Sequence, residues 1–385
     1  MDVLHLHPPH AVRTTASVVL FFTRGMSLDG WRRAGILDRE LALYREIARR
    51  TDGVRLVTYG GAEDVRLAAS LGVEVLPNRW GLPSNLYSVL APLLHHRAIR
   101  RAGVMKTNQL NGAWTGVLAK RWWRKPLIVR CGFLWSLNAR QEAPGGWRNA
   151  VVRRIEGWVC RAADRVTVAA EHDRRYLMEM HGVDGARVQV VPNYVDTATF
   201  RPLDDVKKTP GSTIFVGRLS AEKNLAALLE ALDGIVGARL AVIGDGPLRR
   251  DLEREAHRRR LDVTFHGTVA NAELPALLAE AEVFVQPSLY EGSPKALVEA
   301  MACGLPVIGC DVRGIRDVIQ HDRTGVLCGA APRDIRDAIV ALLGDAGRRR
   351  RLGNAARDWA ARECSLAVAV ERELEILSAV ERAHG

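Results

Sequence analysis

Short apolar runs rich in Val, Ile and Leu alternate with amphipathic stretches from one end of the chain to the other. In the first half, "SVVLFF" (17–22), "VRLVTY" (54–59), "VEVLP" (73–77), "GVMKTN" (103–108), "PLIVRC" (126–131), "RVTVAA" (165–170) and "RVQVVP" (187–192) read as strands. Helical patterns such as "LDRELALYREIARR" and "WRNAVVRRIEGWVCRAA" lie between them. The second half repeats the plan with "STIFVGRL", "ARLAVIGDG", "DVTFHGTV", "AEVFVQPS" and "LPVIGCDV", separated by "AEKNLAALLEALDG" and "PLRRDLEREAHRRR". Leu225, Leu228, Leu229 and Leu232 mark one face of the first of these helices. Strand and helix in strict alternation predict two parallel-sheet α/β domains. The boundary falls between Pro192 and Gly211, where "FRPLDDVKKTPGS" is charged, holds two prolines and has little apolar content. The expected layout is a leader over 1–16, a domain over 17–195, a second over 205–350 and terminal helices over 351–385.

One stretch, "EGSPKALVEAMACG" (291–304), concentrates unusual residues at a helix start. Ser293 suits an N-cap and Pro294 the first helical position. Ala296, Leu297, Ala300 and Met301 then face a core, and Gly304 stops the helix. Glu299 sits about one and a half turns in, whereas Glu291 lies in the preceding loop, so both carboxylates can address one ligand from different directions.

Other candidates also follow strands. In parallel sheets, ligands bind where strand C-termini meet helix N-termini, because the helix dipole favours anions there. "FVGRLSAEKN" brings Arg218 and Lys223 around one turn; "VIGDGPLRRDLE" brings Gly244 and Gly246, with Pro247 opening a helix; "FHGTV" ends a strand at Gly267. A diphosphate fits the two cations and the amides of the Ser293 helix start. The glutamates suit vicinal hydroxyls of a ribose or hexose. Taken singly, each signal equally fits a turn, a solvated charge or a capped helix.

Composition narrows the class. The chain has 385 residues and is 48% hydrophobic and 26% charged, the balance of a globular enzyme. No apolar run reaches membrane-spanning length and "MDVLHLHPPH" lacks a signal-peptide layout, so a cytoplasmic location is expected. The six cysteines show no metal-ligand spacing and read as buried free thiols. The net charge of +11 is uneven: residues 1–202 hold 30 Lys and Arg against 17 Asp and Glu, the remainder 25 against 27. A basic first half points to a polyanionic surface. "KRWWRK" (120–125) fits an anionic membrane interface, and fits equally a helix end with one Trp in the core and a solvated charge run.

The joint order of "FVGRLSAEKN", "VIGDGPL", "FHGTV" and "QPSLYEGSPKALVEAMACGLPVI" resembles the donor-domain signatures of retaining glycosyltransferases of family 4. "VVPNYVDTATFRP" (190–202) resembles their inter-domain segment, with Tyr194 where glycine is usual. The resemblance spans about residues 17 to 370 and is looser in the first half. It implies a GT-B fold: two Rossmann-like parallel-sheet domains facing a central cleft. It implies a nucleoside-diphosphate sugar as donor substrate and no separate cofactor. Arg218 and Lys223 then correspond to the diphosphate clamp, Glu299 to the carboxylate on the ribose and Glu291 to the one near the transferred sugar. Amides from Gly292 through Ser293, Pro294 and Lys295 to Ala296 correspond to the phosphate or sugar cradle. The helices from about Arg348 are expected to cross back onto the N-terminal domain.

The first half departs from the family pattern. Where many members have a histidine, this chain reads "IVRCGFLWS", leaving Arg130 or Cys131 in that position. "FTRGMSLDGWRRAGILDREL" takes the place of the family's Gly-rich loop after the first strand, where Gly25 fits either acceptor or phosphate and Arg24, Ser27 and Asp29 are further candidates. Asn108, Gln109 and Asn111 offer hydrogen bonds to a sugar, or simple turn roles. The chain contains no D-x-D, so no catalytic metal is expected. The acceptor expected is a cell-envelope glycan or lipid-linked sugar at the inner face of the membrane, with no nucleic-acid partner. Two other readings stay open: a non-hydrolysing sugar-nucleotide epimerase, which would convert donor without acceptor, and a non-enzymatic basic binding module with a degenerate cleft.

Overall fold

The computed structural model describes residues 14–136, 147–203 and 205–384. The chain divides into two compact units, one of residues up to Val168 with Asp173–Val191 and Ala367 onward, the other of Ala169–His172 and Pro192–Leu366. Most of the expected leader falls outside the described residues; Ala16 at its end already accepts a backbone bond from Asp52.

The first unit holds seven strands: β1 (Val18–Phe21), β2 (Val54–Val57), β3 (Glu74–Leu76), β4 (Val104–Thr107), β5 (Leu127–Cys131), β6 (Arg165–Val168) and β7 (Val188–Val190). They pair in the order β3-β2-β1-β4-β5-β6-β7, parallel throughout. The second unit holds β8 (Ser212–Val216), β9 (Arg239–Ile243), β10 (Asp262–Gly267), β11 (Val283–Gln286), β12 (Val307–Cys310) and β13 (Val326–Cys328), ordered β10-β9-β8-β11-β12-β13 and likewise parallel. Each sheet therefore runs outward from its first strand, returns, and continues on the other side. Two doubly wound sheets result, the architecture of the GT-B fold.

Pleating sorts the second sheet's residues onto two cores. Ile214 and Phe284 pack on one face with Leu297, Ala300 and Met301, while Phe215, Val283 and Val285 pack on the other with Leu228, Leu229 and Leu232. The sequence pattern foresees every strand but β13, which is isolated between Gly325 and Gly329, whereas the equally short β3 and β7 lie within longer apolar runs. Helix starts differ at two prolines. The helix after β11 spans Lys295–Ala302 with Pro294 as its N-cap, and the helix after β9 starts at Arg249, two residues beyond Pro247. Its predicted stop holds: Gly304, at φ 75, takes the left-handed position after the helix end.

The C-terminal boundary also moves. The helix Ala346–Cys364 stays with the second unit and packs on Lys295–Ala302, and the return to the first unit begins at Ala367, in the last helix Leu366–Arg382. That helix seats Glu373, fully buried, against Lys106 of β4 and 3.5 Å from Arg130 of β5. Among the described residues no helix is long and apolar enough to cross a membrane.

Candidate functional site

The strand order of the second unit reverses between β8 and β11, so the loops leaving their carboxyl ends diverge and open a crevice. Both loops carry the residues singled out by sequence. After β8, Arg218 is exposed and the chain makes a short 3-10 turn, Ala221–Lys223. Asn224 closes the turn at φ 55, a left-handed conformation that asparagine tolerates better than most side chains, and its amide donates to Ala330 O at 3.1 Å. After β11, the loop from Ser288 to Ser293 returns toward this turn, and Leu289 N–H donates to Glu222 O at 2.8 Å.

Glu291 is the centre of the arrangement. Its buried Oε1 accepts from Lys223 Nζ at 2.6 Å, Ser288 Oγ at 2.7 Å and Gln286 Nε2 at 2.8 Å. A buried carboxylate so supplied is held in one rotamer, and it fixes Lys223 at the crevice. Gln286 and Ser288 stand two residues apart at a strand end, hence on the same side. Sequence reasoning missed both, although that spacing was the available signal. On the neighbouring turn, burial would raise the Glu222 carboxyl, but the Ser220 hydroxyl, a backbone N–H and the charges of Lys223 and Arg218 together bring it below its ordinary value.

The helix Lys295–Ala302 begins without a side-chain cap. Ser293 does not serve as one; its carbonyl instead accepts from Asn193 Nδ2 at 3.1 Å, which ties the segment after β7 to this loop. The N-cap Pro294 offers no side chain to the first-turn amides, which carry the positive end of the helix dipole. Glu299 lies on the buried side of this helix. Burial first and the Glu299 charge second push the adjacent Cys303 thiol up to about 12.

Gly244 and Gly246 stand where two loops pass close to one another. A Cβ on Gly244 would overlap Gly217 O, and one on Gly246 would overlap Leu219 O. Their close backbone approach is to the β8 loop, sealed by Leu219 N–H to Asp245 O at 3.0 Å and Leu248 N–H to Leu219 O at 3.0 Å. Gly267, at φ 71, accepts from Gly244 N–H at 2.7 Å. Gly292 has open space where a Cβ would stand. Gly314, which sequence reasoning passed over, lies where a Cβ would collide with the carbonyls of Glu291 and Gly292.

Gly25 belongs to the first unit, at the corresponding reversal between β1 and β4. Its φ is 78, and the adjacent Arg24 donates to Asn85 and, through its backbone N–H, to Asn111 O at 3.0 Å. Several neighbours have local duties. Ser27 caps its helix by accepting from Gly30 N–H, Asp29 pairs with Arg32 and Arg33, and Asn108 accepts from Tyr44 Oη at 2.9 Å. Gln109 accepts from Gly132 N–H at 3.0 Å. Cys131 is wholly buried with its Sγ 3.9 Å from Cys160 Sγ, and Arg130 faces Glu373. Among the described residues no group of three or more His, Cys, Asp and Glu is placed to hold a metal ion.

The family model described as glycosyl transferases group 1 matches residues 197–359, and that of glycosyltransferase family 4 matches residues 41–199. A D-inositol 3-phosphate glycosyltransferase of Xylanimonas cellulosilytica is 30% identical over 354 residues, covering 82% of this chain and 85% of the relative. The chain belongs to the group 1, family 4 glycosyltransferases. A second relative of this glycosyltransferase, a GDP-mannose-dependent α-(1-6)-phosphatidylinositol monomannoside mannosyltransferase of Mycobacterium tuberculosis, is 29% identical over 290 residues, covering 68% of this chain and 74% of the relative. Among solved structures, Anabaena HepE in complex with UDP superposes with a TM-score of 0.77 at 17% identity, covering 94% of this chain and all of that one. Sucrose-phosphate synthase of Thermosynechococcus elongatus gives 0.78 at 19%, covering 96% and all of that chain. At such identities these two speak for the fold of the glycosyltransferase alone.

Proposed function

We propose that this glycosyltransferase moves a sugar from a nucleoside-diphosphate donor, with retention of configuration, to a cell-envelope glycan or lipid-linked acceptor on the cytoplasmic side of the membrane. The observation that carries the reading is the Lys223–Glu291 pair at the reversal between β8 and β11, 2.6 Å apart and beside an uncapped helix start. Breaking the glycosidic bond puts negative charge on the departing diphosphate. Groups aimed at that charge, Arg218, Lys223 and the amides from Gly292 to Ala296, stabilise the transition state more than the ground state. In this reading Glu291 keeps Lys223 oriented and faces the transferred sugar, and Glu299 accepts from the ribose hydroxyls. Gly244, Gly246 and Gly267 shape the crevice by holding its loops together.

In this reading the acceptor oxygen attacks from the face the diphosphate leaves, and the diphosphate takes its proton. The cations and amides meet the charge that a metal would otherwise meet, in keeping with the lack of a D-x-D in the chain. A relative named for a phosphatidylinositol mannoside substrate supports the lipid-linked class of acceptor. Gly25 and Arg24, at the reversal of the first sheet, are the proposed acceptor side.

Thermal unfolding against UDP, GDP, ADP and dTDP tests the donor site. One base is expected to raise the melting temperature, since a ligand at a hundred times its dissociation constant stabilises by about 2.7 kcal/mol. No shift with any of them sinks the reading. Turnover of the matching sugar nucleotide without acceptor would favour an epimerase instead.

A further inference from the structure

The helix Ser84–Leu94 presents to solvent what such a helix normally hides. Leu86, Val89 and Leu93, spaced i, i+3 and i+7, form one stripe and are 44–47% exposed. Isolated exposed leucines are ordinary, but a stripe on one helix face is an interaction surface in want of a partner. The next helix, His96–Arg101, continues this face with exposed Arg97, Arg100 and Arg101. Trp123 joins it to the end of helix Trp114–Trp123: its indole donates to Pro92 O at 3.0 Å and the Arg100 guanidinium lies 5.7 Å from its ring. Beyond stand exposed Arg121, Trp122 and Arg124. A groove of about 510 Å³ then runs between Arg121, Arg124, Lys125 and the half-exposed Trp158.

Charge selects the partner. From Val75 to Gln141 the chain contains no Asp or Glu. Around the groove Asp164 meets Lys120 at 2.6 Å and His384 at 3.3 Å. An apolar stripe alone would fit a protein partner, and cations alone would fit nucleic acid. Leu and Val bordered by tryptophans and arginines match the layered polarity of a bilayer interface, apolar within and anionic at the headgroups. We propose that this face of the first unit, Leu86, Val89, Leu93, Trp122, Arg97 and Arg121 foremost, docks on an anionic lipid surface. Asn85, in the first turn of the striped helix, accepts from Arg24. The lipid face thus adjoins the proposed acceptor side, a placement that rests on the reading of a lipid-linked acceptor, although the docking itself does not.

Sedimentation with vesicles tests it without any catalytic readout. The full chain is expected to pellet with phosphatidylcholine vesicles containing about 30 mol% phosphatidylglycerol, not with phosphatidylcholine alone, and to be released by salt. R97Q combined with R121Q is expected to weaken the binding roughly 30-fold, because each cation at such a surface counts for roughly fivefold. L86S combined with L93S is expected to weaken it too, while the nucleotide-induced shift in melting stays as in wild type. Failure of the wild type to pellet, or wild-type pelleting of both double variants, overturns the membrane face and leaves the transferase reading intact. A self-association that L86S/L93S abolishes, without vesicle binding, would instead make the stripe an interface between copies. Tighter binding to random DNA than to vesicles, lost in R97Q/R121Q, would make it a nucleic-acid surface.

Discussion

At the scale of single residues, Lys223 is asked to do two things: answer the Glu291 carboxylate and meet the charge of a departing diphosphate. K223A removes both. Glu291 keeps its bonds from Gln286 and Ser288, so the loss in stability is expected to stay near about 1–3 kcal/mol, while kcat falls by about 10² to 10³ if Lys223 stabilises the leaving group. Turnover at the wild-type rate in a folded K223A protein would remove it from the clamp. His95 offers a test of a different kind. Its Nε2 lies 2.8 Å from Tyr87 Oη, and burial first, then the Arg79 charge, push its imidazole down to about 4. The native protein holds it neutral, whereas the unfolded chain protonates it near 6.5. Its contribution is therefore full above pH 6.5 and is lost as the pH falls toward 4, an effect on the order of 3 kcal/mol. Urea unfolding of wild type and H95Q over that range should give curves that converge toward acid; parallel curves would refute the assignment.

At the scale of elements, the site depends on loops locked to one another by the absence of side chains. G244A would place a methyl group against Gly217 O at a backbone φ of 124, and G314A would place one against the carbonyls of Glu291 and Gly292. Each is expected to destabilise the second unit by about 2–5 kcal/mol, and G314A to lower activity further, by displacing the Glu291 loop. A melt unchanged in G244A would contradict the packing. These glycines show what was legible in the sequence. Their importance was plain from position after strands, but a linear pattern does not reveal whether the close neighbour is ligand or backbone. Glu291 and Lys223 were readable as a set because each follows a strand end. Their direct pairing was not, since the 3-10 turn at Ala221–Lys223 alone swings Lys223 toward the β11 loop. Ser293 misled because local N-cap preference was overridden by the tertiary bond to Asn193. β13 escaped because its residues stand alone between Gly325 and Gly329, whereas the equally short β3 and β7 lie within longer apolar runs.

At the scale of the whole molecule, two sheets share one winding, β3-β2-β1-β4 and β10-β9-β8-β11, yet differ in what closes them. Helix Ala346–Cys364 completes the second unit from its own sequence neighbourhood, whereas the first takes its last helix from the far end of the chain. The anchor is ionic and dry: Lys106 and Glu373 are fully buried in contact, Arg130 stands beside them, and the Lys106 ammonium is pushed down by burial and by the Arg130 charge, with Glu373 opposing. Elsewhere on the helix Glu371 pairs with Arg50 and Glu381 accepts from Thr14. Removing one partner of the buried pair leaves an uncompensated charge, so E373Q or K106M alone is expected to destabilise the first unit by about 3–5 kcal/mol. K106M combined with E373L, in place of two charges, is expected to recover part of that loss, because desolvation of the pair offsets much of its attraction while Arg130 still loses its carboxylate. The discriminating measurement is urea unfolding of both singles and the double. If the double falls by the sum of the singles, the two residues act independently and the last helix is held by its apolar face, Leu374 and Leu377, rather than by the ion pair. If it recovers, the pair fixes where the helix sits on β4 without adding net stability, so a chain ending near Leu366 should lose the first unit's fold and keep the second unit's nucleotide-induced shift in melting.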